Sequence, residues 1–232
     1  MPAPFHAFGP SHLAVLFLTV AAVFLMLTGR RKDHTWSRAA EIALGWAVFA
    51  AHFLAVLFWW WRGVALGWEN ILPMHLCNWA GFAVWQALVF RRPLAAELGW
   101  FWAMTGTIQG MLTPNQPFDW PDPSFFTFFL LHSGVMIGAI HAVFGMGLKP
   151  RPGAWWRGIL WTQGYVIAAA LVNIALGANY AFLCAKPAKA SLMDHLGDWP
   201  WYVLAIHVIG AILIILLYLP FRTPPGTPAA GK

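Results

Sequence analysis

The sequence predicts an all-α polytopic membrane protein, a bundle of seven transmembrane helices with its N-terminus outside and its C-terminus inside. Three observations carry that prediction. Of 232 residues, 60% are hydrophobic and 9% charged, with a mean hydropathy of +0.63, which leaves too little polar surface to cover a water-soluble globule. The chain divides into apolar runs near the roughly 20 helical residues needed to cross a hydrocarbon core about 30 Å thick. The fourteen Lys and Arg side chains cluster in alternate turns between those runs, the bias expected of cytoplasmic loops. A soluble enzyme, a disordered linker and a disulfide scaffold are excluded. The net charge of +6 reads as a topology signal and not as a nucleic-acid surface, so no nucleic-acid partner is expected.

The runs cover residues 12–27, 38–60, 72–90, 94–113, 124–145, 155–177 and 200–220. The fourth is the weakest, because Gly99, Gly106 and Gly110 interrupt it. Eleven basic residues, among them Arg30, Arg31, Arg91, Arg92, Lys149 and Arg151, fall on one side, whereas Arg62, Lys186 and Lys189 fall on the other. The larger group marks the inside. The first ten residues contain no Lys or Arg, so the opening segment lacks the basic region of a cleavable signal and is expected to remain as a helix. Trp59, Trp60, Trp61, Trp120 and Trp199 sit at the proposed outer edge, and Trp36, Trp100 and Trp155 at the inner one, as amphipathic rings prefer. Residues 1–221 form one transmembrane domain, and residues 222–232, rich in Pro and Gly, read as a disordered cytoplasmic tail. Gly106 with Gly110, and Gly134 with Gly138, have the spacing that lets helix backbones approach, and plain packing accounts for them.

Polar groups within hydrocarbon are either satisfied by neighbours or functional. At 1.5 Å per residue, Cys77 and Asn78 lie about 8 to 9 Å below the outer end of their run, Gln109 and Asn173 about 6 Å, and His52, His132 and His207 about 10 to 12 Å. Six helices thus contribute to one slab in the outer half of the membrane, which predicts a polar chamber opening to the outer leaflet. Thr105, Gln109 and Thr113 repeat at helical spacing and are assigned to the bundle interior. Interhelical hydrogen bonds account for such residues as well as chemistry does.

The two cysteines have no CxxC spacing, and His75 and Cys77 face nearly opposite ways on a helix, so no metal or other cofactor is expected. A Cys77–Cys184 bridge is permitted outside the cell, but the helical depth of Cys77 makes it the lesser option. A thiol becomes a nucleophile when a base takes its proton, and His132 is the base best matched in depth. Asn78, Gln109 or Asn173 would donate to the oxyanion of an acyl intermediate. From spacing alone, the reading to prefer is Cys77 as a small packing residue and His132 as a satisfied bundle histidine.

The string Leu72-Pro73-Met74-His75-Leu76-Cys77-Asn78, His132, and Asn173 followed by Gly177-Ala178-Asn179-Tyr180-Ala181-Phe182-Leu183-Cys184-Ala185-Lys186-Pro187 resemble the YwaF-like bacterial integral membrane proteins. That family is similar to a mammalian multispan ether-phospholipid acyltransferase and, more distantly, to androgen-induced hydrolases of fatty-acid esters. The resemblance implies lipid acyl transfer or ester hydrolysis in a bacterial inner (cytoplasmic) membrane, with Cys77 and His132 catalytic and membrane phospholipid or lysophospholipid as the partner. It also implies that Asn179, Tyr180, Lys186 and Lys189 lie near the headgroup level. Lys-Pro as a helix stop and Tyr180 as an interfacial anchor are the plainer alternatives. A small-molecule transporter or a non-catalytic lipid-binding protein is the rival class, although no acidic residue lies deep in a run to couple ions.

Overall fold

The computed structural model describes residues 3–32, 34–187 and 191–222, and every regular element among them is helical. The predicted tail beyond residue 222 and Lys189 lie outside the described residues. In chain order the elements are α1 (Pro10–Lys32), α2 (His34–Trp61), the short α3 (Trp68–Ile71), α4 (Leu76–Phe90), α5 (Pro93–Trp102), a π segment (Ala103–Thr107), α6 (Ile108–Leu112), α7 (Pro123–Ile140), a second π segment (His141–Gly145), α8 (Ala154–Leu176) and α9 (Trp201–Tyr218). Short 3-10 turns cover Tyr180–Phe182, Leu192–His195 and Leu219–Phe221.

Five of these are long and apolar enough to cross a membrane: Pro10–Arg30, Thr35–Trp61, Pro123–Gly145, Ala154–Leu176 and Trp201–Phe221. The other two predicted runs are modified. The 72–90 run becomes helical only at Leu76, after an extended Leu72 and His75, because Pro73 disfavours the helical conformation in the residue before it. The 94–113 run is helical over 93–112 but divided in three, with five residues at its centre in π geometry.

α7 is the organising helix: 56% of its apolar window is buried inside the protein, against 11–17% for the other four long helices. Asp122 caps it, its carboxylate accepting from the Ser124 amide, and Pro123 occupies the first turn, where a missing N–H costs nothing. Close approach of its neighbours depends on missing side chains. A Cβ on Gly134 would stand 2.4 Å from Val48 of α2, and one on Gly138 would stand 2.4 Å from Val84 of α4. That pair is a packing motif, as its spacing predicts.

The connections gather at two ends. At one, Phe5 donates its amide to Pro117 O (3.1 Å), His12 Nε2 lies 2.7 Å from Met111 O, and Arg62 pairs with Asp122 at 2.8 Å. Burial pushes the Asp122 carboxyl up, but hydrogen bonds from Ser124 and Arg62 outweigh it and hold the group below the ordinary carboxylate range. At the opposite end two buried glutamates collect arginines. Glu41 Oε1 accepts from Arg30 Nη1 (3.1 Å) and His141 Nε2 (3.1 Å), and its Oε2 accepts from Arg38 Nη1 (3.3 Å) and Arg91 Nη2 (3.4 Å). Glu97 binds Arg151 (2.7 Å) and Arg157 (2.9 Å), and this carboxylate raises the Arg151 pKa above its ordinary value. Both glutamates are sealed from solvent.

Candidate functional site

Cys77 is the second residue of α4, with His75 as the N-cap. It therefore lies in the first turn rather than a turn and a half inside, which corrects the depth taken from the 72–90 run. Cys77 is half-buried and packs beside the cluster of Ala80, Val84, Ala103 and Leu131. It is a free thiol, as is the exposed Cys184.

His132 lies on α7, buried to 7% exposure. Its ring stacks on Phe128 with centroids 4.0 Å apart, and Nδ1 lies 2.8 Å from Phe128 O. A carbonyl only accepts, so Nδ1 carries the proton and Nε2 presents the lone pair. The Nε2 edge faces Gly110 of α6, where a Cβ would stand 2.7 Å from it.

Register and a shared helix relate the two. A Cβ on Gly81 of α4 would meet Leu131 at 3.0 Å and Val135 at 3.8 Å, so Cys77, one turn further out, is level with the turn before His132, around Phe128. The Thr107 hydroxyl is within interaction range of the Cys77 thiol, and Gly110, which receives the His132 ring, follows Thr107 by three residues on the same helical face. Cys77 and His132 thus flank adjacent positions of one helix. Two polar side chains beside them are underused. The Asn78 carboxamide, on a residue 5% exposed, forms no hydrogen bond among the described residues, and the fully buried Thr107 hydroxyl makes none of ordinary geometry among them. A buried orphan donor costs about 1–3 kcal/mol.

The other predicted site residues have structural duties. Asn173 Nδ2 donates to Tyr180 O (3.0 Å) and its Oδ1 accepts from the Tyr180 amide (2.7 Å). Asn179 Oδ1 accepts from the Cys184 and Ala185 amides, and its Nδ2 donates to Ala185 O. The Tyr180 hydroxyl donates to Trp68 O and Leu72 O, and its ring lies edge-on to His75. Lys186 Nζ stands 5.5 Å over the Tyr202 ring. Together these fasten the 178–187 loop over the α3–α4 connection, a framing role for Asn173, Asn179 and Tyr180. His52 likewise bonds Ile71 O (2.9 Å) and His207 bonds Val203 O (2.6 Å).

Gln109 is exposed while Thr107 is buried. This overturns the inward stripe of Thr105, Gln109 and Thr113. The π segment takes up an extra residue per turn, shown by the Ile108 amide reaching back to Ala103 O, so the phase extrapolated at 3.6 residues per turn is lost beyond it. A groove of about 260 Å³ lies between α1 and α7, lined by Val15, Leu18, Thr19, Ala22, Ser133 and Ile137; it is apolar and includes neither Cys77 nor His132. Among the described residues, no three His, Cys, Asp or Glu side chains are grouped as metal ligands.

These features define a multi-pass, all-helical membrane-type protein. The TMEM164 family profile matches residues 7–218, and the chain belongs to that family. It is also similar to an uncharacterized protein of Treponema pallidum (strain Nichols), 29% identical over 161 residues that make up 67% of this chain and 64% of that protein. The chain therefore spans just under two thirds of that relative's length. No solved structure matches it.

Proposed function

We propose that the protein is a lipid acyltransferase or lipid ester hydrolase in which Cys77 is the nucleophile and His132 the general base. The observation that carries the reading is the approach of Cys77 and of the His132 Nε2 edge to neighbouring positions of the same helix, Thr107 and Gly110, beside the buried Thr107 hydroxyl. In this reaction the thiol proton passes to His132 Nε2 as sulfur bonds to the carbonyl carbon of a phospholipid ester. The carbonyl oxygen becomes an oxyanion, for which the Asn78 amide is the nearest free donor in sequence. Collapse of that intermediate breaks the ester C–O bond, the lysolipid oxygen takes the proton from His132, and an acyl thioester remains on Cys77. A lysophospholipid hydroxyl or water then attacks the thioester, its proton passing through His132, and restores the thiol. The resemblance to YwaF-like proteins and to a mammalian acyltransferase supports the same residues.

The reading places the chain in a bacterial inner membrane with seven passes, the N-terminus and the Arg62–Asp122 end outside. What supports it is the grouping of alternate connections at opposite ends and the arginine-rich character of the end around Glu41 and Glu97. The test is incubation of purified protein with labelled phospholipid and lysophospholipid. Wild type is expected to transfer or release acyl chains, and Cys77→Ala and His132→Ala to lose that activity by a hundredfold or more. Equal turnover by all three would refute the assignment.

A further inference from the structure

We infer that Thr107 is a positioning residue for the Cys77 nucleophile, its hydroxyl donating a hydrogen bond to the sulfur once the thiol proton has left for His132. The inference rests on the Cys77–His132 reading and deepens it.

Six other threonines, in helices or at their ends, satisfy their hydroxyls locally. Thr19, Thr28, Thr105, Thr113, Thr127 and Thr162 each donate to a carbonyl three or four residues back, at 2.7–3.2 Å. This is the ordinary way for a threonine to satisfy its hydroxyl inside a helix. Thr107 departs from the pattern. It is fully buried, and its Oγ1 makes no hydrogen bond of ordinary geometry among the described residues. Thr107 closes the π segment, in which the Ile108 amide reaches back five residues to Ala103 O. A π insertion is uncommon and recurs at functional sites. Here it ends on Thr107, which is buried while Gln109, two residues on, is exposed.

That hydroxyl lies within interaction range of the Cys77 thiol. Its surroundings are fixed by close contacts on both sides. A Cβ on Gly106 would stand 2.7 Å from Leu76, the residue before Cys77, and a Cβ on Gly110 would strike His132. The segment thus approaches α4 and α7 as nearly as the backbone permits, with Thr107 between those two contacts. A neutral thiol offers the hydroxyl only a weak acceptor, whereas a thiolate offers a strong one. The Thr107 donor therefore gains its full partner only in the state that attacks the ester, the differential interaction that lowers a barrier.

The experiment measures alkylation of Cys77 by iodoacetamide at fixed pH in a Cys184→Ser background, which removes the exposed thiol. It compares Thr107, Thr107→Val and Thr107→Ser in the full chain, alongside acyl transfer. Valine keeps the shape and removes the donor; serine keeps the donor. The expected result is alkylation and acyl-transfer kcat both lowered roughly ten- to a hundredfold in Thr107→Val, the range for a hydrogen bond to a charged group. KM should be little changed, and Thr107→Ser should recover most of the loss. Wild-type rates in Thr107→Val, or equal losses in the valine and serine variants, would overturn the role of Thr107 while leaving Cys77 as nucleophile. A Cys77 that neither reacts nor supports turnover in the Thr107 parent would overturn both readings.

Discussion

Replacing Gly110 with alanine perturbs the site through packing alone, without altering any group proposed to react. A Cβ at this position would stand 2.5 Å from His132 Cδ2 and 2.7 Å from Nε2. Ordinary carbon contacts begin near 3.5 Å, so the ring must retreat by about 1 Å. Retreat is opposed by the Phe128 ring stacked at 4.0 Å and by the Nδ1 bond to Phe128 O. Overpacking of this kind costs about 1–3 kcal/mol, from which the better helix propensity of alanine recovers up to about 1 kcal/mol. The expected net loss of stability is about 0–2 kcal/mol. Turnover responds more steeply, since a misplacement of about 1 Å in a reacting group lowers the rate about a hundredfold. The matched control is Gly164→Ala on α8, where a Cβ has nothing within 4 Å; it should leave turnover unchanged and unfold no earlier than wild type. The assay pairs acyl transfer from labelled phospholipid with thermal unfolding in detergent. Wild-type turnover in Gly110→Ala, equal to that of Gly164→Ala, would refute the placement of the imidazole.

Three further outcomes follow from the same geometry. Glu41→Gln leaves Arg30, Arg38 and Arg91 around a neutral amide and should lower stability by about 3 kcal/mol, the low end for breaking a buried ion pair, because the Arg38 and Arg91 side chains are 33% and 46% exposed. Unchanged thermal unfolding would contradict it. Asn173→Ala removes both bonds to Tyr180, should cost about 1–3 kcal/mol, and should speed proteolysis of the 178–187 loop; loss of turnover with full loop protection would return Asn173 to the reacting site. The depressed Asp122 carboxyl contributes stability that is complete above its unfolded value near 3.9 and is lost as pH falls through the lower folded value. The Arg62–Asp122 end should therefore hold down to about pH 4 and open below it, followed by tryptophan fluorescence and absent in Asp122→Asn. An opening centred above pH 5 would contradict the sign.

Hydrophobic length made the long helices legible, since Pro10–Arg30, Thr35–Trp61, Pro123–Gly145, Ala154–Leu176 and Trp201–Phe221 answer closely to five of the seven apolar runs. The other two, 72–90 and 94–113, were legible as apolar but not as to where they turn. Pro73 delays the start of α4, and hydropathy does not register backbone restriction. The π segment at Ala103–Thr107 defeats any fixed period, so Gln109 and Thr107 exchange inside for outside. Cys77 and His132 were legible because sulfur and imidazole are conspicuous in apolar sequence. The duties of Asn173, Asn179 and Tyr180 were hidden because their partners are backbone groups, which every residue carries and composition cannot rank. The burial of Glu97 was hidden because its arginines, Arg151 and Arg157, come from 54 and 60 residues away.

The order in which Glu41 meets its partners bears on how the chain is assembled during synthesis. Arg30 and Arg38 lie within eleven residues of it, Arg91 follows fifty residues later and His141 a hundred. The first helical hairpin thus emerges with its acidic group already neutralised, and enters the lipid phase without an unpaired carboxylate. The later partners then find a preformed acceptor, so the same side chain that eases early insertion becomes the point on which α7 registers when it arrives.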